Sequence, residues 1–341
     1  MNSSVSPIAP EKDFVHRQAA HCESGTVSSL LRHYGLDVSE AMVFGLSSAL
    51  LFAHFPFIKV EGFPLTAYRA MPGSIVKSMS KALGVKLRRE RFADPQSGTT
   101  RLDALLEQGQ VVGTQASVYW LPYFPPNMRF HFNAHNMVVY GKHDDNYLVS
   151  DLVAEFAVTC PTADLQKARF VKGLFAPKGL LYYPANMPAH VDLEKAIARA
   201  IKKTCFVMLK TPVPFIGVRA IDYLADRIQH LQHKSSEPQY AMLYIGTIVR
   251  MQEEIGTGGG GFRFIYASFL QEAANKLNEP RLQECSDLMT QSGDAWREFA
   301  LLGARFCKRR SEVTLDQLAD AMRLCAKHEY DAFRLLRSIR L

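Results

Sequence analysis

A chain of 341 residues, 48% hydrophobic and 21% charged, holds enough apolar material for a sizeable core and for two domains, which excludes a disordered chain. No apolar run approaches the roughly 18 residues of a membrane span, and "MNSSVSPIAPEKDF" lacks a basic head before an apolar core, so neither a span nor a secretory signal is expected and the expected location is cytoplasmic. The net charge of +7 suits an acidic partner; the basic residues read as scattered, and with no helix-turn-helix, zinc knuckle or aromatic RNA-binding pattern beside them, nucleic acid is not expected. A solvated surface accounts for most of these charges, with a basic docking face for an acidic protein as the alternative.

Residues 1–13 read as a flexible lead. From Cys22 the spacing of Val27, Leu30, Leu31 and Tyr34 predicts a helix that ends at Gly35. The run "DVSEAMVFGLSSALLF" predicts a second helix capped by Ser39 and broken at Pro56, and a third covers Ile75 to Leu83, stopped by Gly84. The period then changes: "VKLRRERF", "VVGTQASVYW", "HNMVVYG", "NYLVSDL" and "GLLYYP" read as strands, the third and fourth joined by the turn "KHDDN". Helices followed by a run of strands indicate an α+β domain with a mostly antiparallel sheet.

From Asp192 the strand signal vanishes. Six segments, from "DLEKAIARAIKKT" to "TLDQLADAMRLCAKHEYDAFRLLRSI", carry apolar residues three and four apart, the stripe of helices packed in a bundle. The expected division is therefore an α+β domain over residues 14–187 and a helical domain over residues 188–341. The segment "SSALLFAHFPFIKVEGFPL" reads as core, with an acyl channel as the alternative.

Six cysteines, at 22, 160, 205, 285, 307 and 325, are widely spread, with no pair at zinc or disulfide-scaffold spacing. Five lie in apolar contexts; Cys22 opens a helix, where unpaired N–H groups and the positive end of the dipole stabilise a thiolate. A thiol nucleophile needs a base and the base an orienting carboxylate. His135 opens one strand of the hairpin and Asp151 ends the next, so the two approach across the pair. The amides of Cys22 and Glu23 are placed to receive an oxyanion. His131 reads as a polar core or rim residue, with a second base as the alternative, Asn133 and Asn136 as turn residues, with oxyanion donors as the alternative, and His16, His21, His33 and His54 have no metal-ligand spacing. "GTGGGGFR", at 256–263, admits anion binding with Arg263 as the basic group, or close backbone packing.

"HCESG", the following "HYGLDVSEAMVFGL" with its Glu40 to Gly45 spacing, and the "AHNMVVYG…YLVSDL" hairpin resemble the N-terminal domain of the butirosin biosynthesis protein H family; "GTGGGGFRFIYASFLQEA" and the later tryptophan helix resemble the helical domain that follows it there. The N-terminal half is similar, more distantly, to papain-like leader peptidases. These resemblances imply a papain-like α+β fold, Cys22 as acyl-enzyme nucleophile, His135 as acid and base, and Asp151 as orienter. They also imply an acyl group drawn from the phosphopantetheine thioester of an acyl carrier protein and passed to a small-molecule or lipid amine or hydroxyl, with no bound cofactor or metal. Gln18, closer to the cysteine than the oxyanion glutamine of those peptidases, joins Glu23 and Arg263 as an expected substrate-binding residue. A cysteine peptidase or amidase built on the same triad is the first alternative, a non-catalytic binding protein the second.

Overall fold

In the computed structural model, residues 14–231, 238–254, 259–308 and 312–341 are described; the expected lead at 1–13 lies outside them. In chain order the elements are α1 (Cys22–His33), α2 (Glu40–Leu46), β1 (Leu50–Val60), β2 (Phe63–Arg69), α3 (Ser74–Leu83), β3 (Lys86–Glu90), α4 (Pro95–Glu107), β4 (Val112–Ala116), β5 (His135–His143), β6 (Asn146–Ser150), β7 (Val158–Pro161), α5 (Thr162–Arg169) and β8 (Leu181–Asn186). The remainder is helical: α6 (Leu193–Lys210), α7 (Val218–Gln229), α8 (Pro238–Glu253), α9 (Arg263–Leu277), α10 (Arg281–Cys307) and α11 (Leu315–Ser338). Among the described residues no helix is long and apolar enough to cross a membrane.

The contacts divide the chain into two units. One comprises the described residues up to Val43 with Pro72–Val191, the other Phe44–Met71 with Asp192–Leu341. This corrects the expected contiguous split after residue 187, because residues 44–71 pair and pack with the helices.

The first unit is built on a six-stranded sheet, ordered β3-β8-β4-β5-β6-β7, in which every pairing is antiparallel. Alternation decides its core. Val112 and Ala116 of β4, Met137 and Val139 of β5, and Tyr147 and Val149 of β6 share a buried cluster with Leu102 and Leu105 of α4 and Leu165 of α5. α1 packs on β5. The fold is α+β as expected, with the cysteine-headed helix packed on the strand that carries His135.

The second unit contains a correction at its start. The expected long second helix stops at Leu46, although Ser39 does receive the Met42 amide at 2.9 Å as its cap. The apolar run after it is strand β1, folded onto β2 through Glu61 and Gly62, both with positive φ, the geometry of a two-residue hairpin turn. Pro56 does not break β1 because it falls where the register is irregular, between Phe55 and Lys59, and no ladder bond is lost there. Phe52 is buried against Tyr68 and Trp296, so this part of the run is core and lines no channel. The six expected helices form α6 to α11, the last opened by a capping box between Thr314 and Gln317.

Candidate active site

Cys22 is the first residue of α1, and the chain reaches it through a tightly held approach. His21 caps the helix: its ring Nδ1 accepts from the Ser24 amide at 3.3 Å and lies 2.8 Å from the Ser24 hydroxyl. The half-buried Glu40 carboxylate accepts from the amides of Ala20 at 2.9 Å and His21 at 2.6 Å, and from the Ser24 hydroxyl at 3.2 Å. Burial raises the Glu40 pKa, opposed by these bonds. Gly25 lets the helix approach its support, since a Cβ there would stand 2.4 Å from Ala19 and 2.7 Å from Leu152. The sequence therefore fixes the cysteine at a helix N-terminus by contacts on three sides.

The register of the sheet brings the other two groups together. Val138 pairs with Ser150, so Asp151, one residue beyond β6, comes opposite Met137, and His135 lies two positions along the same face. His135 Nε2 is 2.7 Å from Asp151 Oδ2. Cys22 acts on the same imidazole, contributing after Asp151 to the rise of its pKa. All three are buried, Cys22 at 6% exposure, His135 at 5% and Asp151 at 0%.

Two groups that sequence reasoning missed hold the Asp151 carboxylate. The Tyr123 hydroxyl donates to Asp151 Oδ2 at 2.8 Å, and the Val153 amide donates to Oδ1 at 3.3 Å, so the carboxylate is held from both sides. Phe124 meets the His135 ring edge-on at 5.7 Å. Tyr123 and Phe124 sit in the irregular stretch between β4 and β5, and no periodicity marks such residues. His16, set aside with the unassigned histidines, lies 2.7 Å from the Ser150 hydroxyl and 3.1 Å from the Ala154 carbonyl, and so ties down the segment carrying Asp151.

Electrostatics favour a protonated His135. Burial alone would lower the His135 pKa, but the charge and hydrogen bond of Asp151, with the hydrogen bond and charge of Cys22, outweigh it and push it up to about 10. An imidazolium that persists near neutrality is the partner a thiolate requires. Burial pushes Cys160, Cys205 and Cys285 up to about 12 and raises Cys307 and Cys325 as well.

The three expected substrate-binding residues fare differently. Gln18 is exposed on the approach to Cys22. Glu23 is fully buried, and its carboxylate accepts from the amides of Gly73, Ile75 and Val76 at 3.1, 2.9 and 3.2 Å; it caps α3, and the expectation that it meets substrate is corrected. Arg263 is likewise corrected. It is fully buried in the second unit, 2.7 Å from Glu329, donates to the carbonyls of Tyr68 and Gly261, and stacks over Tyr68 and Trp296. Of the glycine loop, Gly256–Gly258 lie outside the described residues, and the Gly260 amide already donates to the Glu253 carboxylate at 3.1 Å, a partner that repels an anion. Close packing is what Gly260 and Gly261 serve, since a Cβ on Gly260 would stand 2.7 Å from the Phe264 ring and one on Gly261 2.6 Å from the Tyr68 ring.

The minor expectations resolve as structural contacts. His131 is exposed and stacked on Tyr119, Asn133 donates to the Leu174 carbonyl, and Asn136 donates to Ala134 and accepts from the Tyr182 hydroxyl.

Residues 21–152 match the family model described as butirosin biosynthesis protein H, N-terminal, and residues 163–336 match a domain of unknown function (DUF4872). No match was found among the curated proteins. Among solved structures, one described as a C39-like peptidase from Bacillus anthracis is similar at 13% identity, over 52% of this chain and 96% of that one, with a TM-score of 0.35.

Proposed function

The chain belongs to the family that joins the butirosin biosynthesis protein H N-terminal domain to DUF4872, and from that premise we propose that it is a cysteine-dependent acyltransferase whose donor is an acyl carrier protein thioester. The observation that carries the reading is Cys22 at the head of α1, acting on an imidazole that lies 2.7 Å from the Asp151 carboxylate.

The Cys22 thiolate attacks the thioester carbonyl, and the Cys22 amide at the helix N-terminus stabilises the oxyanion. Collapse forms the Cys22 acyl-thioester and breaks the bond to the pantetheine sulfur, which takes the proton from His135. The two thioesters are nearly equal in energy, so this exchange is reversible. An amine or hydroxyl then attacks the acyl group, His135 receives its proton, and the Cys22 thiolate leaves. Tyr123 and Val153 keep Asp151 aligned with the ring throughout. We place the reaction in the cytoplasm, where the nucleophile stays reduced.

Intact-mass measurement after mixing with an acylated carrier protein tests this. Wild type gains the acyl mass, Cys22→Ala gains none, and added amine discharges the adduct to an amide. An adduct on Cys22→Ala refutes the role of the thiol, and discharge to free acid alone assigns a peptidase- or amidase-type hydrolase.

A further inference from the structure

The surplus of positive charge is concentrated. Residues 195–210 and 332–341 contain eight Lys or Arg and no Asp or Glu, against a net charge of +7 for the chain. These segments are α6 and the end of α11, which pack together in the second unit. What reads in sequence as scattered basic residues converges in space.

Between them runs a groove with Lys202, Phe206 and Lys210 on one wall and Arg337, Arg340 and Leu341 on the other, and no acidic residue lines it. The four cations are exposed, and among the described residues none has an ion-pair partner. Phe206 is 57% exposed and Leu341 45%, so apolar surface faces solvent inside a ring of unpaired charge. Such a ring is complementary to an amphipathic helix with one apolar stripe and acidic flanks. From Lys202 to Lys210 the wall spans about 12 Å of helix, the length of two turns.

We propose that this groove docks an acidic helix of the acyl carrier protein, an assignment that rests on the acyl-transfer reading and adds to it the surface where the donor binds. Phe206 and Leu341 cover the apolar stripe of the incoming helix, and Lys202, Lys210, Arg337 and Arg340 pair with its flanking carboxylates. The charges act chiefly on encounter, so their effect falls as salt rises.

The test uses the full chain, its Arg337→Glu/Arg340→Glu variant and its Phe206→Ser variant, with thermal melts to verify folding. Each is given two donors, the acylated carrier protein and a small acyl-pantetheine thioester that carries no protein. Binding of labelled carrier protein is followed separately by fluorescence anisotropy. The expected result is a KM for the carrier raised roughly tenfold or more by charge reversal, with unchanged acylation from the small thioester. Raised salt weakens wild-type carrier binding and leaves the variant nearly flat. Equal carrier KM in all three proteins overturns the assignment, as does equal loss with both donors. Tighter capture of phosphatidylglycerol vesicles or duplex DNA than of carrier protein overturns it too. Failure of wild type to accept the small thioester counts against the acyl-transfer reading, while the anisotropy still decides the groove.

Discussion

His135 has the most consequential environment of any single residue here. Its pKa is raised from 6.5 to about 10 against the pull of burial, by Asp151 and then by Cys22. A folded-state value above the ordinary one means that the folded chain holds this proton more tightly than the unfolded chain. The stability so contributed is complete below 6.5 and is lost as pH rises toward about 10. Tyr123 tunes the arrangement, because its hydroxyl draws charge from the oxygen that faces the imidazole. Tyr123→Phe leaves that oxygen more negative, so the alkaline limb of Cys22 acylation moves to higher pH and the rate falls by up to about tenfold from looser alignment. A pH–rate profile superimposable on that of wild type shows that Tyr123 has no positioning role. Cys22, His135 and Asp151 were legible in the sequence because each stands at the start or end of a periodic segment, whereas Tyr123 lies where no pattern points.

Elements were legible where periodicity is uniform and misread where two signals conflict. The helical run from Glu40 merges with an apolar stretch, and the strand character of the latter lies in Phe57, Ile58 and Val60 and in the Glu61–Gly62 turn, all downstream of the point at which a helix reading stops at Pro56. The spacing from Glu40 to Gly45 has a physical basis. Glu40 holds the amides ahead of Cys22, Phe44 stacks on Phe262 at 5.4 Å, and a Cβ on Gly45 would stand 2.1 Å from the Phe269 ring. In α1 the corresponding demand falls on Gly25. Gly25→Ala drives a methyl into Ala19 and Leu152, with an expected cost of about 1–3 kcal/mol in thermal or chemical denaturation and a slower acylation of Cys22. Unchanged stability and rate in that variant contradict the close packing of α1 on the Asp151 segment.

At the scale of the whole molecule, the sequence conveys the order of α+β part and helical part but not the allegiance of residues 44–71. Their pairing partners lie within the hairpin, and their packing partners, Trp296 and Tyr244 among them, lie more than a hundred residues downstream. Arg263 was misplaced for the same reason, since a basic residue after a glycine loop looks exposed until Glu329, 66 residues later, is seen to neutralise it. The six thiols spread over both units provide the decisive comparison, because burial raises five of them, whereas Cys22 acts on the His135 imidazole. The most direct measurement is residue-resolved mass spectrometry of alkylation at about pH 6, for all six cysteines, in wild type and in His135→Asn. The account predicts that Cys22 is labelled well ahead of the other five in wild type and loses that lead in the variant. Labelling of Cys22 no faster than the rest, or at the same rate without the imidazole, contradicts it.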